Sequence, residues 1–285
     1  MKMIGLVGLG LLGTALADRL LSRGWSVFGF DVDSDRRAAL SQAGGVGLNR
    51  LEDVAGLDLI LLSLPTSHVV ADVVSLLKEE LRSGQTIVDT TTGNPAEVES
   101  TADVLAGLGV DYLDATVGGS SQQARDGDVV IMGGGPVDAF DRCRELFGDL
   151  AKRTFHLEQA GSGARMKLAV NLVLGLNRAV LAEGLVFAES LGLDLATTLD
   201  VLQAGPAAST VMKTKGEKML EREFKPQARL AQHLKDVKVI LDTGLTVGAN
   251  LPMSAVHEKL LEELVQAGNG DLDNSAIIKA FRSAE

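Results

Sequence analysis

The first 31 residues constrain the fold more tightly than any other stretch. Met3-Ile4-Gly5-Leu6-Val7 is a short apolar run suited to a buried strand, and Gly8-Leu9-Gly10-Leu11-Leu12-Gly13 follows it directly. Thr14 to Arg23 then has helical periodicity, and Trp25 to Phe30 reads as a second strand that ends on Asp31. In such a strand–turn–helix unit each glycine has its own task. Gly8 permits the tight turn, Gly10 lets the backbone approach a pyrophosphate, and Gly13 lets the helix pack closely on the strand. The helix start offers N–H groups and a positive dipole end to phosphates. Asp31 lies 18 positions after Gly13, where a carboxylate meets ribose hydroxyls. The frame as a whole indicates dinucleotide binding. Lys2, the apolar run and Ala15-Leu16-Ala17 also imitate a secretory signal, but Gly5, Gly8, Gly10 and Gly13 disfavour the leucine-rich helix such a signal needs.

The alternation continues through the first half. Strands are expected at 3–7, 26–30, 58–63, 86–89, 111–113 and 128–132, with helices between them. This predicts an α/β fold of Rossmann type, a doubly wound parallel sheet covered on both faces. Ligands then bind beyond the carboxyl ends of the strands, so Leu64-Pro65-Thr66 and Thr90-Thr91-Thr92-Gly93 should border the cofactor. Each is equally a plain turn. After Gly161-Ser162-Gly163 the pattern becomes helical to the C-terminus. Residues 164–191 form one long apolar helix, roughly 28 residues and about 42 Å. We therefore expect a dinucleotide-binding domain at 1–161 and an all-α domain at 162–285 that includes this linking helix. A helix apolar on most sides calls for burial by its own domain and by a second subunit, hence a homo-oligomer.

Composition narrows the function classes. The chain has 285 residues, of which 46% are hydrophobic and only 4% aromatic, so its cores are aliphatic. With 27 basic and 38 acidic residues the net charge is −11, which argues against nucleic acid as a partner and leaves room for a small anionic substrate held by a few local cations. No membrane association is expected. Cys143 is the only cysteine, so an internal disulfide is impossible and a reducing, cytoplasmic location is the simple inference. Histidines 68, 156, 233 and 257 lack ligand spacing, and no metal is expected.

Three segments could carry chemistry. Lys167 sits near the start of the long helix, with Asn171 four residues on and so on the same face. A lysine in an apolar helix usually extends its amine to solvent. A helix N-terminus and burial both disfavour an ammonium, however, and would suit Lys167 to proton transfer near neutral pH. The second segment is Asp114-Ala115-Thr116-Val117-Gly118-Gly119-Ser120-Ser121. Its adjacent glycines can expose N–H groups in a concave turn that binds carboxylate, and Ser120 or Ser121 can add a hydroxyl donor. A flexible connection is the plainer reading. The third is His233-Leu234-Lys235-Asp236, where a basic residue could reach a ligand or simply lie on a solvated helix face.

Taken together, these segments resemble the β-hydroxyacid dehydrogenase (3-hydroxyisobutyrate dehydrogenase) family over nearly the whole chain. GLVGLGLLGTALADRLLSRGWSVFGFD resembles its cofactor motif, DATVGGSSQQARDGDVVIMGGG its substrate motif and GSGARMKLAVN its catalytic-lysine motif. The resemblance implies an NAD(P)-dependent oxidoreductase that interconverts a small β-hydroxy acid and its semialdehyde or keto acid. It implies Lys167 as general acid/base with Asn171 beside it, and Gly118, Gly119 and Ser120 gripping the substrate carboxylate. Leu11, Leu12, Leu64, Pro65 and Thr92 would line the cofactor with Gly8, Gly10, Gly13 and Asp31, and Lys235 would reach it from the second domain. Where the family has Pro-Val-Ser-Gly-Gly, this chain has Thr116-Val117-Gly118-Gly119-Ser120, so the hydroxyl at 118 is missing. Asp31 favours NAD, because it repels a 2′-phosphate, while Arg36 and Arg37 in the next helical turn keep NADP open. Imine reductases share the architecture but generally lack the lysine. A non-catalytic dinucleotide sensor is the reading from another class.

Overall fold

Five apolar runs, each bounded by glycine or polar turns, form the centre of one sheet. The computed structural model describes residues 2–282. In chain order the first part comprises β1 (Met3–Val7), α1 (Leu11–Ser22), β2 (Ser26–Phe30), α2 (Ser34–Gln42), β3 (Val46–Gly47), β4 (Leu59–Leu62), α3 (Ser67–Leu77), β5 (Thr86–Asp89) and α4 (Pro95–Gly107). It continues with β6 (Asp111–Gly118), α5 (Ser121–Asp126), β7 (Val130–Gly134), α6 (Val137–Arg142), α7 (Arg144–Leu150) and β8 (Arg153–His156). The strands order as β3-β2-β1-β4-β5-β6-β7-β8. Chain direction across the sheet reverses between β1 and β4, the switch point where ligands of such sheets bind.

Strand residues alternate between two cores. Ile4 and Leu6 of β1 and Leu61 of β4 face one side with Leu16 and Leu20 of α1 and Phe147 of α7. Val7, Ile60 and Leu62 face the other, with Val70, Val74 and Leu77 of α3 and Leu105 of α4. Both faces are apolar because both are covered, as a parallel sheet requires.

The sheet departs from the expected pattern at β6–β8. β7 runs antiparallel to β6, pairing Gly118 with Val130 and Asp114 with Gly134. A parallel return needs a crossover of about a dozen residues or more, and here the connection contains only the six-residue α5. β6 itself runs through to Gly118, past the expected end at 113. Two strands were not anticipated: the two-residue β3 and β8, whose Arg-Thr-Phe-His sequence lacks an apolar run.

The rest is helical: α8 (Ser162–Ser190), α9 (Leu195–Ala204), α10 (Thr210–Glu221), α11 (Leu230–Thr246) and α12 (Pro252–Leu264), followed by a 3-10 segment at Asn274–Phe281. Contacts divide the chain into Met1–Lys167 and Leu168–Glu285, so α8 begins in the first unit and continues into the second. The second unit has its own core, in which Leu181, Ala182 and Leu185 of α8 pack with Leu199, Met219, Leu230, Val237, Leu261 and Ile277.

Candidate active site

The turn after β1 is built as its glycines require. Gly8 has φ +96°, and a Cβ there would strike the Ser63 carbonyl oxygen. A Cβ at Gly13 would strike the carbonyl oxygen of Gly8, so α1 packs directly onto the turn. A Cβ at Gly10, by contrast, meets no atom within 4 Å. The N-cap of α1 is Gly10, with no side-chain cap, so the first-turn N–H groups have no side-chain acceptor. A cradle of open space and free donors fits a dinucleotide pyrophosphate. Leu11 is exposed and Leu12 half-buried at this helix start.

Asp31 ends β2 buried, and its Oδ2 accepts from Leu9 N at 2.7 Å while Oδ1 accepts from Asp33 N at 2.9 Å. Arg36 Nη1 approaches Oδ2 at 3.4 Å and Arg37 Nη1 donates to the Asp31 carbonyl at 2.6 Å. The carboxylate therefore ties the glycine turn to β2 and has Arg36 beside it, while Arg37 holds the main chain of Asp31. Beyond β4 and β5, Leu64 N donates to Thr91 Oγ1 at 3.1 Å, which joins the two turns bearing Leu64, Pro65 and Thr92.

Strand β6 holds the start of α8 at three points. Asp114 Oδ2 accepts from Ala164 N at 2.8 Å, and Thr116 Oγ1 donates to the Gly163 carbonyl at 3.0 Å. Lys167 Nζ donates to the Val117 carbonyl at 2.7 Å. Lys167 is only 9% exposed, so its amine is buried beside the peptide that leads into Gly118 rather than extended to solvent. Burial pushes the Asp114 carboxyl up to about 6 against the pull of the Ala164 and Gly161 amides. Asp114 and Thr116 were named from sequence only as part of the segment 114–121, without a role; a carboxylate inside a buried strand was the signal available for the first.

The two glycines and the serine of the turn after β6 stand in different surroundings. Gly119 has φ +154° and its Cβ would lie 2.6 Å from Val129 Cγ1, so glycine is required there. Gly118 has neither constraint: its Cβ would sit in ordinary contact with Met132 Cε and Val130 O at 3.5 Å. Ser120 is the N-cap of α5 in a capping box, where its Oγ accepts from Gln123 N and its own N–H donates to Gln123 Oε1. Its backbone N–H is thus committed, and only the hydroxyl proton is left to point at a ligand.

In the second unit Asn171 Nδ2 donates to Asp236 Oδ2 at 3.3 Å, and Lys235 Nζ lies 4.0 Å from Asp236 Oδ1. The structure thus pairs Asn171 with an acid that the sequence marked only as Lys235's neighbour. Among the described residues no group of three or more His, Cys, Asp or Glu is placed to hold a metal.

Comparison with known proteins decides the family. Residues 3–158 match the NAD binding domain of 6-phosphogluconate dehydrogenase, and residues 161–281 match the model described as NAD-binding of NADP-dependent 3-hydroxyisobutyrate dehydrogenase. Over 98% of the chain there is 32% identity to 2-hydroxy-3-oxopropionate reductase of Escherichia coli (strain K12), covering 96% of that protein. This chain belongs to the 3-hydroxyisobutyrate dehydrogenase family. A 3-hydroxyisobutyrate dehydrogenase structure from Mycobacterium tuberculosis, solved with L-serine, is 26% identical and superposes with a TM-score of 0.90 over 99% of this chain and 100% of that one. The chain is also 30% identical, over 98% of its length, to 53% of the cytokine-like nuclear factor N-PAC of Xenopus tropicalis. As a family member it is an NAD(P)-dependent β-hydroxyacid dehydrogenase.

Proposed function

We propose that this dehydrogenase interconverts a small semialdehyde acid of the tartronate semialdehyde type and its β-hydroxy acid, with Lys167 as general acid/base. The observation that carries this reading is the buried Lys167 amine, held 2.7 Å from the Val117 carbonyl at the edge of the Gly118-Gly119-Ser120 turn. When bound, the nicotinamide accepts or supplies the hydride. Lys167 gives a proton to the carbonyl oxygen in reduction and takes it from the hydroxyl in oxidation, oriented throughout by the Val117 carbonyl. Gly118, Gly119 and the Ser120 hydroxyl receive the substrate carboxylate. Asn171, braced by Asp236, orients the reacting group.

Gly8, Gly10, Gly13, Leu11 and Leu12 take the dinucleotide, together with Leu64, Pro65 and Thr92, and Lys235 adds a cation. Asp31 sets a preference for NAD through the ribose, and the nearby Arg36 is the feature that would admit NADP. The protein works as a homo-oligomer in the cytoplasm, a location supported by its single, buried cysteine.

Lys167→Ala should lower kcat by about 10²–10⁴-fold while the dissociation constant for NAD(H) stays within roughly twofold. Near-normal turnover would reject the role. Steady-state assays with tartronate, succinic and methylmalonate semialdehydes, each with NADH and NADPH, identify the substrate and cofactor. Oxidation of neither cofactor with any of them would favour the sensor reading.

A further inference from the structure

The helical unit buries more positive charge than it neutralises. Arg178 of α8 is 4% exposed, Lys215 of α10 is 9% exposed, and Asp273 is fully buried. Asp273 is saturated: both oxygens accept from Lys215 Nζ at 2.9 Å, Oδ1 also accepts from Ser275 N and Oγ, and Oδ2 from Gln227 N and Ala228 N. Nothing remains for Arg178. Its Nε and Nη1 have no hydrogen-bond partner among the described residues, although both are buried.

Two histidines share the place. His233 of α11 and His257 of α12 stack with ring centroids 5.1 Å apart, and the Nε2 of each is buried and also unpartnered. Gly175, on α8 just before Arg178, admits them: a Cβ there would lie 2.7 Å from His233 Nε2 and 3.0 Å from His257 Cε1. Burial, with the charge of Arg178 acting in the same direction, pushes His233 far below its ordinary range and His257 down to about 4. Both rings are therefore neutral at pH 7. Burial pulls Arg178 down only to about 10, so it stays cationic. Among the described residues, the buried unpartnered side-chain acceptor left in this unit apart from the imidazoles and the Ser209 hydroxyl is Asn274 Oδ1, a neutral group that cannot offset the charge.

We propose that the helical unit binds a small monovalent anion, a halide or a simple carboxylate, at Arg178, with the imidazole N–H groups of His233 and His257 as further donors. A guanidinium offers several N–H groups in a fixed fork, suited to either anion, and a buried cation whose neighbouring carboxylate, Asp273, is already shared with Lys215 is disfavoured. Such an anion at concentration L would stabilise the packing of α8 against α11 and α12 by RT ln(1 + L/Kd), and so increasingly with its concentration. The inference does not depend on the role of Lys167.

The test is thermal unfolding of the full-length protein in increasing sodium chloride or sodium acetate, at constant ionic strength kept with a bulky sulfonate. The Tm of the unsubstituted protein should rise by several degrees, climbing with the logarithm of anion concentration once the site is filled, and Arg178→Met should abolish the anion-specific rise. In sulfonate alone Arg178→Met should be at least as stable as the parent, since it removes a buried cation whose Nε and Nη1 are unpartnered. A response to chloride alone marks a halide site, and a response to acetate alone a carboxylate site. Where chloride raises the Tm, bromide-soaked crystals of the unsubstituted protein should show an anomalous peak within hydrogen-bond reach of Arg178. Equal responses of both proteins to the salts, or a chloride response with ordinary water and no bromide peak at Arg178, would overturn the proposal.

Discussion

Two neighbouring glycines after β6 are glycines for different reasons, and substitution should separate them. Gly119 is bound by backbone geometry and by Val129, so Gly119→Ala should destabilise the protein by about 1–3 kcal/mol. A thermal melt reads this directly. Gly118 is free of both constraints, and the family places a serine at this position. Gly118→Ser should fold with an unchanged Tm, because its Cβ meets only ordinary contacts. The restored hydroxyl stands next to the carbonyl that holds Lys167. A hydrogen bond to a charged group contributes about 1.5–3 kcal/mol, so the ratio of kcat/KM between two semialdehyde acids should change by about tenfold or more. Unchanged ratios would show that position 118 does not select the substrate.

At the scale of elements, β6 sets the register of α8 through Asp114, Thr116 and Val117, and this makes the joint sensitive to pH. Burial raises Asp89 and Asp114 from the ordinary 3.8 to about 6, each against hydrogen bonds that pull the other way. Between those values the folded protein holds protons that the unfolded chain has released. The two groups therefore favour folding at low pH and lose that contribution as pH rises to about 6. Asp273 is opposite in sign: burial raises it, but Lys215 and the Gln227 and Ser275 amides prevail and hold it at about 2. Its stabilisation is present above the ordinary carboxylate range and is lost as pH falls towards 2. Asp114→Asn should remove part of the loss between about pH 4 and 6, seen as a smaller difference in Tm between those values than in the parent. An identical pH profile would rule out Asp114 as one of the groups. The glycine turn and the long helix were legible because both are local patterns of spacing and periodicity. The Asp114 contact was not, since it joins a strand to residues fifty positions away. The continuation of β6 was hidden by Thr116 and Gly118, which break the apolar run, and the direction of β7 by a connection that only its shortness betrays. Arg178, His233 and His257 meet only when three helices pack.

At the scale of the molecule, the unsatisfied feature is an apolar stripe on α8. Val173, Val180 and Phe187 recur every seven residues on one face and are 56%, 56% and 64% exposed, with Leu191 beyond them at 60%. Fully burying a side chain of this size contributes about 1.5–3 kcal/mol. With these a little over half exposed, covering each would gain roughly half of that, so the row calls for a cover. The helix is long and apolar enough by length and composition to cross a bilayer. Asn171 and Arg178, however, are buried on the side of α8 that packs into its own unit, and the exposed stripe is the part of this helix left for a partner. A second copy of the chain supplies an identical stripe, and a two-fold arrangement would bury both at once. Light scattering coupled to size exclusion should therefore give a multiple of the chain mass for the parent protein. Phe187→Glu, alone or with Val180→Glu, should shift it towards a single chain, because each carboxylate would be desolvated in the shared face. A parent protein that runs as a single chain at every concentration would leave the stripe without this explanation. A variant that stays assembled would place the subunit contact elsewhere.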